Sequence, residues 1–253
     1  MLTAVSLGPG DASLLVPAAR EALEAAEVVA GYKGYIELVD PALLEGKTVI
    51  STGMTGEVER VKRAVECARN GQRTVMVCSG DAGIYAMSGL LLEVLEAEGL
   101  IGTVPFSVVP GVPAFVAASA LLGAPLMHDF ASVSLSDLLT PWEVIEKRLR
   151  LAAEADFVIA IYNPRSKKRR DHLERALAAV AEHRLPETPV GIVERANRPG
   201  QTVTLTTLAM VDPDAVDMQT VLIVGNSTTR KSGDFILTPR GYDRKYNLST
   251  EPS

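Results

Sequence analysis

The residues best equipped for chemistry stand where short apolar runs give way to glycine. Ser79-Gly80-Asp81 follows the run 74–78, and a carboxylate at such a strand end either caps the next helix or faces a ligand. His128 and Asp129 are adjacent. An imidazole titrates near neutral pH and a neighbouring carboxylate can orient it, so the pair is a candidate for acid/base work; a satisfied histidine at a domain boundary is the other reading. Lys33, in the polar aromatic stretch 31–35, and the cations Lys167, Lys168, Arg169 and Arg170 that follow Ser166 suit anions, although each also reads as a solvated surface charge. Cys67, Cys78, His128, His172 and His183 lack the spacing of a metal or redox motif, so no metal site is expected.

Positioning these residues requires strand-turn-helix junctions, and the sequence supplies three with glycine at the edge. A strand over 2–7 ends at Gly8-Pro9-Gly10-Asp11, the strand over 74–78 ends at Ser79-Gly80-Asp81, and a strand over 106–109 ends at Pro110-Gly111-Val112-Pro113. Ligands of open α/β sheets bind outside the carboxyl ends of the strands, and glycine lets a ligand approach the backbone there. The first turn is not a dinucleotide fingerprint, because the third glycine is missing and Pro9 removes an amide. Helical periodicity covers 17–26, 57–69 and roughly 84–97, with short strands at 28–30 and 47–51 and a small-residue helix at 114–122. Gly123-Ala124-Pro125 interrupts the pattern, which predicts domains at 1–123 and 124–230 and a polar, peripheral tail at 231–253.

In the second half, the alternation at 132–136 predicts a half-buried strand of antiparallel character. A helix is expected over 141–153, then an apolar strand at 157–161 ending in Tyr162-Asn163-Pro164-Arg165. The basic run is expected to open a helix over 166–181, where it opposes the helix dipole. Strands follow at 189–193, 202–206 and 220–224, around the loop 195–200.

With 253 residues and 47% hydrophobic content, the chain can bury two cores. A net charge of -6 argues against a nucleic-acid partner. Two cysteines argue for a reducing compartment. No basic leader and no apolar stretch of membrane-spanning length is evident, so a soluble cytoplasmic protein without membrane contact is expected.

Taken in order, Leu7-Gly8-Pro9-Gly10-Asp11, Ser79-Gly80-Asp81-Ala82-Gly83-Ile84-Tyr85, Val109-Pro110-Gly111-Val112, Tyr162-Asn163-Pro164 and Val224-Gly225-Asn226-Ser227 resemble the tetrapyrrole methylase family. Gly31-Tyr32-Lys33, Thr52-Gly53-Met54, His128-Asp129-Phe130 and Ser134-Leu135-Ser136-Asp137 are similar to the branch that methylates carbon 17 of precorrin-3B in cobalamin biosynthesis. Gly80-Asp81-Ala82, where many relatives carry Gly-Asp-Pro, matches that branch.

The resemblance implies an α/β fold of two domains holding S-adenosylmethionine in a cleft, methyl transfer coupled to ring contraction, S-adenosylhomocysteine as product, and a homodimer. It implies cofactor contacts at Leu7, Pro9, Gly80, Asp81, Ile84, Tyr85, Pro113, Ala114, Tyr162, Asn163 and Ala196. For a substrate rich in carboxylates, Lys33, Arg165, Lys167 and Lys168 are the candidate cations. Asp81, His128 and Asp129 are the candidate catalytic groups. The competing readings are a methyltransferase of other regiochemistry, a non-catalytic tetrapyrrole carrier, and a nucleotide-binding dehydrogenase.

Overall fold

Apolar five-residue runs bounded by glycine or polar residues become central strands, and the computed structural model, which describes residues 1–53, 55–166 and 169–249, divides into two units. Met1–Ala114 forms the first and Phe115–Ser253 the second. The division falls near the start of a helix, upstream of the Gly123 boundary expected from sequence.

In the first unit, strands β1 (Leu2–Ser6), β2 (Val28–Tyr32), β3 (Thr48–Thr52), β4 (Thr74–Cys78) and β5 (Phe106–Val109) form a sheet ordered β3-β2-β4-β1-β5. Every pairing is parallel. Helix α1 (Pro17–Ala25) buries Ala19 and Leu23 against one face. The polar aromatic stretch 31–35, expected as loop, instead runs into a short helix α2 (Lys33–Ile36). Helix α3 (Glu57–Arg69) buries Val61, Ala64, Val65 and Ala68, and α4 (Ser88–Ala97) buries Leu91, Val94 and Leu95. Both pack into the core that contains Met76 and Cys78.

Helix α5 (Ala114–Leu122) leads to a two-residue strand β6 (Gly123–Ala124). The second unit's main sheet contains β7 (Phe130–Ser134), β8 (Val158–Tyr162), β9 (Pro189–Glu194), β10 (Thr202–Thr207) and β11 (Thr220–Val224), ordered β10-β9-β11-β8-β7. β7 pairs with β8 in parallel, which corrects its expected antiparallel character; the remaining pairings are antiparallel. Helix α6 (Trp142–Glu154) packs Ile145 and Leu149 on this sheet beside α7 (His172–Ala181). α7 starts at His172 rather than at Ser166, so the cationic run precedes the helix.

The segment expected as a peripheral tail contributes β12 (Arg230–Ser232) and β13 (Phe235–Leu237), which join β6 in a third sheet. Ile236 is 2% and Thr238 0% exposed. The tail is therefore part of the second unit's core as far as Thr238.

Candidate functional site

Parallel neighbours end at the same edge, so the turns after β1, β4 and β5 converge. Gly8 and Gly80 exchange backbone hydrogen bonds, Gly8 N to Gly80 O at 3.1 Å and Gly80 N to Gly8 O at 2.7 Å. Both have φ of 69°, a conformation open to glycine at little cost. Ser6, fully buried at the end of β1, donates its hydroxyl to Val109 O (2.7 Å) and accepts from Ala82 N (2.8 Å). One side chain thereby ties three turns together. Sequence reading missed Ser6; its signal was a hydroxyl closing an apolar strand just before a glycine turn.

Asp81 makes a second tie. Oδ1 accepts from Gly83 N at 2.8 Å and Oδ2 from Gly111 N at 2.9 Å. The helix-cap alternative fails: α4 begins at Ser88, and its N-cap Met87 makes no side-chain cap. Ile84 and Tyr85 lie in the intervening turn, and Tyr85 combines φ of 52° with 51% exposure. A non-glycine residue held there is the strain that collects at ligand sites. A Cβ on Gly111 would stand 2.5 Å from Ser6 Cβ and 2.7 Å from Gly80 O, so this edge presents backbone where other residues would project side chains. Leu7 and Pro9 are buried beside it, and Pro113 and Ala114 are half-buried. Burial pushes the Cys78 thiol, at the end of β4, up to about 11. It is an inert core group at neutral pH. Lys33 is exposed on α2.

In the second unit, the Tyr162 hydroxyl accepts from Phe115 N at 2.9 Å, which serves an otherwise orphaned amide of α5. Asn163 has φ of 51° and donates Nδ2 to Ser134 Oγ at 2.9 Å. Ala196 sits between Arg195 (φ 47°) and Asn197 (φ 57°). β8 and β9 are both antiparallel to β11, so their carboxyl ends share an edge, and Asn163 and Ala196 fall on it.

His128 and Asp129 do not. They precede β7, and Asp129 O accepts from Val158 N at the start of β8. The length of β8 separates them from Tyr162, about 13 Å at roughly 3.3 Å per residue. Parallel pairing of β7 with β8 causes this. The same sheet therefore does not bring the expected acid/base pair to the Tyr162-Asn163 edge.

The expected cations also divide. Lys167 and Lys168 lie outside the described residues. The Arg165 guanidinium donates to Pro213 O at 2.6 Å and pairs with Asp214 at 2.5 Å, which anchors it within the unit. Arg169 turns inward, 8% exposed, with Nη1 donating to Leu135 O and Nε to Ser166 Oγ. His172 stands with Nε2 3.0 Å from Asp137 and Nδ1 3.1 Å from Asp171. It holds both carboxyls below their ordinary range. The Ser134–Asp137 stretch is thereby pinned to α7. Among the described residues no group of three or more His, Cys, Asp or Glu is placed to hold a metal.

Comparison with known proteins bears on this arrangement. The family model of Tetrapyrrole (Corrin/Porphyrin) Methylases matches residues 1–212. A protein of Salmonella typhimurium named probable cobalt-factor III C(17)-methyltransferase is 50% identical over 242 residues, which cover 96% of this chain and 99% of that protein. A crystal structure of the methyltransferase CobJ is similar with a TM-score of 0.90 and 39% identity, covering 94% of this chain and 99% of that one. A uroporphyrin-III C-methyl transferase from Thermus thermophilus, solved in complex with S-adenyl homocysteine, is similar with a TM-score of 0.66 and 26% identity over 88% of this chain and 96% of its own.

Proposed function

The chain belongs to the tetrapyrrole (corrin/porphyrin) methylases, and from that premise we propose that it transfers the methyl group of S-adenosylmethionine to carbon 17 of a macrocycle of the cobalt-factor III class, or of its metal-free counterpart precorrin-3B, in cobalamin biosynthesis. The methyl transfer accompanies ring contraction. The observation that carries the reading is the glycine-built edge of the first sheet, where Ser6 and Asp81 lock three turns into one backbone surface. The residues present fit the donor: bare turns with apolar Leu7, Pro9 and Pro113 alongside suit an adenine, which takes main-chain hydrogen bonds and apolar walls. When bound, S-adenosylmethionine supplies a methyl already activated on a sulfonium.

The chain's task is then alignment and exclusion of water, which can supply a large share of a rate enhancement. Gly80 and Gly111 admit close approach, Asp81 fixes the turn they share, and Tyr85 is held in an exposed strained position beside it. In the second unit Tyr162, Asn163 and Ala196 form the corresponding edge, with Asn163 oriented by Ser134. Lys33, exposed at the start of α2 and without an ion-pair partner among the described residues, is the cation this reading assigns to a macrocycle carboxylate. Asp81 is the proposed catalytic residue; no step is assigned to His128 and Asp129, which stand at the far end of β8 from Tyr162. A cytoplasmic homodimer without nucleic-acid partners belongs to the same reading, supported by the acidic net charge and the family resemblance; no helix of the described residues is long and apolar enough to cross a membrane.

Calorimetric titration with S-adenosylhomocysteine tests the donor site, and mass and regiochemistry of the product from each macrocycle test the rest. Micromolar binding and a product one methyl heavier at carbon 17 are expected. Absence of binding sinks the methyltransferase assignment, and methylation at another carbon sinks the branch.

A further inference from the structure

Where β7 and β8 begin and β11 ends, the second unit contains a cavity of about 160 Å³ whose wall includes His128, Asp129, Asp156, Asn226, Arg240 and Arg244. Most polar groups on this wall are committed. Asp156, itself held at φ of 60°, accepts from Ser227 N at 2.9 Å and Ser227 Oγ at 2.6 Å, and faces the buried Arg184 guanidinium at 3.3 Å. The Asn226 side chain donates to Asp156 O and accepts from Thr228 and Thr229. Asp129 donates its amide to His128 Nδ1 at 2.9 Å, and the Asp129 carboxylate stands 3.6 Å from the same nitrogen.

The Asp129 carboxylate, also on this wall, is exposed. Two cations there, Arg240 and Arg244, are exposed and have no acceptor or ion-pair partner among the described residues. Gly241 (φ 87°) turns the chain between them, and Arg244 N donates to Gly241 O at 3.2 Å. The turn sets both arginines on the wall of one cavity. With Asp156 paired to Arg184, the two arginines outnumber the one remaining wall carboxylate, Asp129.

We propose that this cavity binds a small oxyanion, a phosphate or carboxylate, held by Arg240 and Arg244 with the His128 imidazole also on its wall. Guanidinium forks match the paired oxygens of both anions, and the cavity is large enough for either. The site lies at the opposite end of the second sheet from Tyr162 and Asn163, so its occupant stands apart from the edge assigned to the methyl donor. The inference does not depend on which macrocycle carbon is methylated.

The source of the oxyanion is either free phosphate or a carboxylate carried by the macrocycle, and one variant pair distinguishes them. Inorganic phosphate is titrated at constant ionic strength into the full chain, into R240Q/R244Q, and into R20Q/R148Q, which removes equal charge from exposed positions elsewhere. Saturable binding that weakens about tenfold or more in R240Q/R244Q alone, with unchanged methyl-transfer kinetics, supports free phosphate as the occupant. A rise of similar size in the macrocycle KM at unchanged kcat, confined to the same variant, supports the carboxylate. Phosphate binding that survives R240Q/R244Q, equal losses in both double variants, or no saturable phosphate binding together with an unchanged KM overturns the proposal.

Discussion

A single carboxylate shows how position decides a residue's work. Asp81 accepts from Gly83 N and Gly111 N with separate oxygens, so it joins the turn after β4 to the turn after β5 before any ligand arrives. Asp81→Ala leaves two amides without acceptors, which costs about 1–3 kcal/mol each where they stay dry. Asp81→Asn keeps one acceptor and loses the charge. We expect urea unfolding to rank wild type above D81N above D81A, with S-adenosylhomocysteine affinity falling in the same order; wild-type affinity and activity in D81A would remove Asp81 from the site. Cys78 offers a pH-dependent test of burial at the neighbouring strand end. Its thiol rises from an ordinary 9.0 to about 11 in the folded chain. The folded state thus holds a proton that the unfolded state has released, so the stability it lends is complete below pH 9 and is lost as pH rises toward 11. At about 1.4 kcal/mol per tenfold, the loss is roughly 2–3 kcal/mol. Subtracting the stability profile of Cys78→Val from that of wild type isolates this term. A difference that stays flat from pH 8 to about 11 would refute it.

Elements succeed or fail here by whether their cause is local. β5 and β11 were legible to the residue because apolar β-branched runs meet glycine or proline at their ends, and α3 because Val61, Ala64, Val65 and Ala68 repeat at helical spacing. The direction of β7 was not legible: alternation along a strand reports which face is buried, while parallel pairing with β8 depends on a partner more than twenty residues away. That pairing puts His128 and Asp129 at the opposite end of β8 from Tyr162. α4 starts at Ser88 instead of near Ile84 because Asp81 and the positive φ of Tyr85 hold the intervening turn, and α7 starts late because Arg169 turns inward to Leu135 O. The glycine edge, by contrast, was visible in sequence, since glycine beside a strand end signals close backbone approach. Two glycines should therefore answer alanine in opposite ways. Gly111→Ala places a methyl against Ser6 Cβ and Gly80 O, and overpacking of this kind costs about 1–3 kcal/mol. Gly89, in α4, has open space around its Cβ position and no positive φ, so Gly89→Ala should gain about 0.5–1 kcal/mol from helix propensity. Chemical denaturation of both variants decides; equal and small effects would mean that the three turns are not packed as described.

At the scale of the whole chain, the question is what the final residues contribute, because polarity marks them as peripheral and the structure uses them otherwise. β13 pairs in parallel with β6, the two residues that follow α5, so the end of the chain closes on the region where the second unit begins. Thr238 N donates to Ala124 O at 3.1 Å, and Thr238 Oγ1 meets Thr229 Oγ1 at 2.7 Å. Thr229 Oγ1 in turn accepts from Asn226 N at 2.8 Å, beside the turn that receives the Ser227 contacts of Asp156. Three truncations separate these layers. Removing 247–253 takes away only exposed chain among its described residues and should change stability by less than about 0.5 kcal/mol. Removing 239–253 keeps Ile236 and Thr238, so the unit should stay folded while Arg240 and Arg244 are lost with whatever oxyanion binding they provide. Removing 230–253 strips a fully buried isoleucine and the Thr229–Thr238 contact together. Burial of such a side chain contributes about 1.5–3 kcal/mol and each hydrogen bond about 1 kcal/mol, so a loss of at least 3 kcal/mol is expected by urea unfolding, with weaker cooperativity in the second unit. If the chain ending at residue 229 unfolded at the wild-type urea concentration, β12 and β13 would be an appendage, and the apolar character of Ile236 would need another explanation.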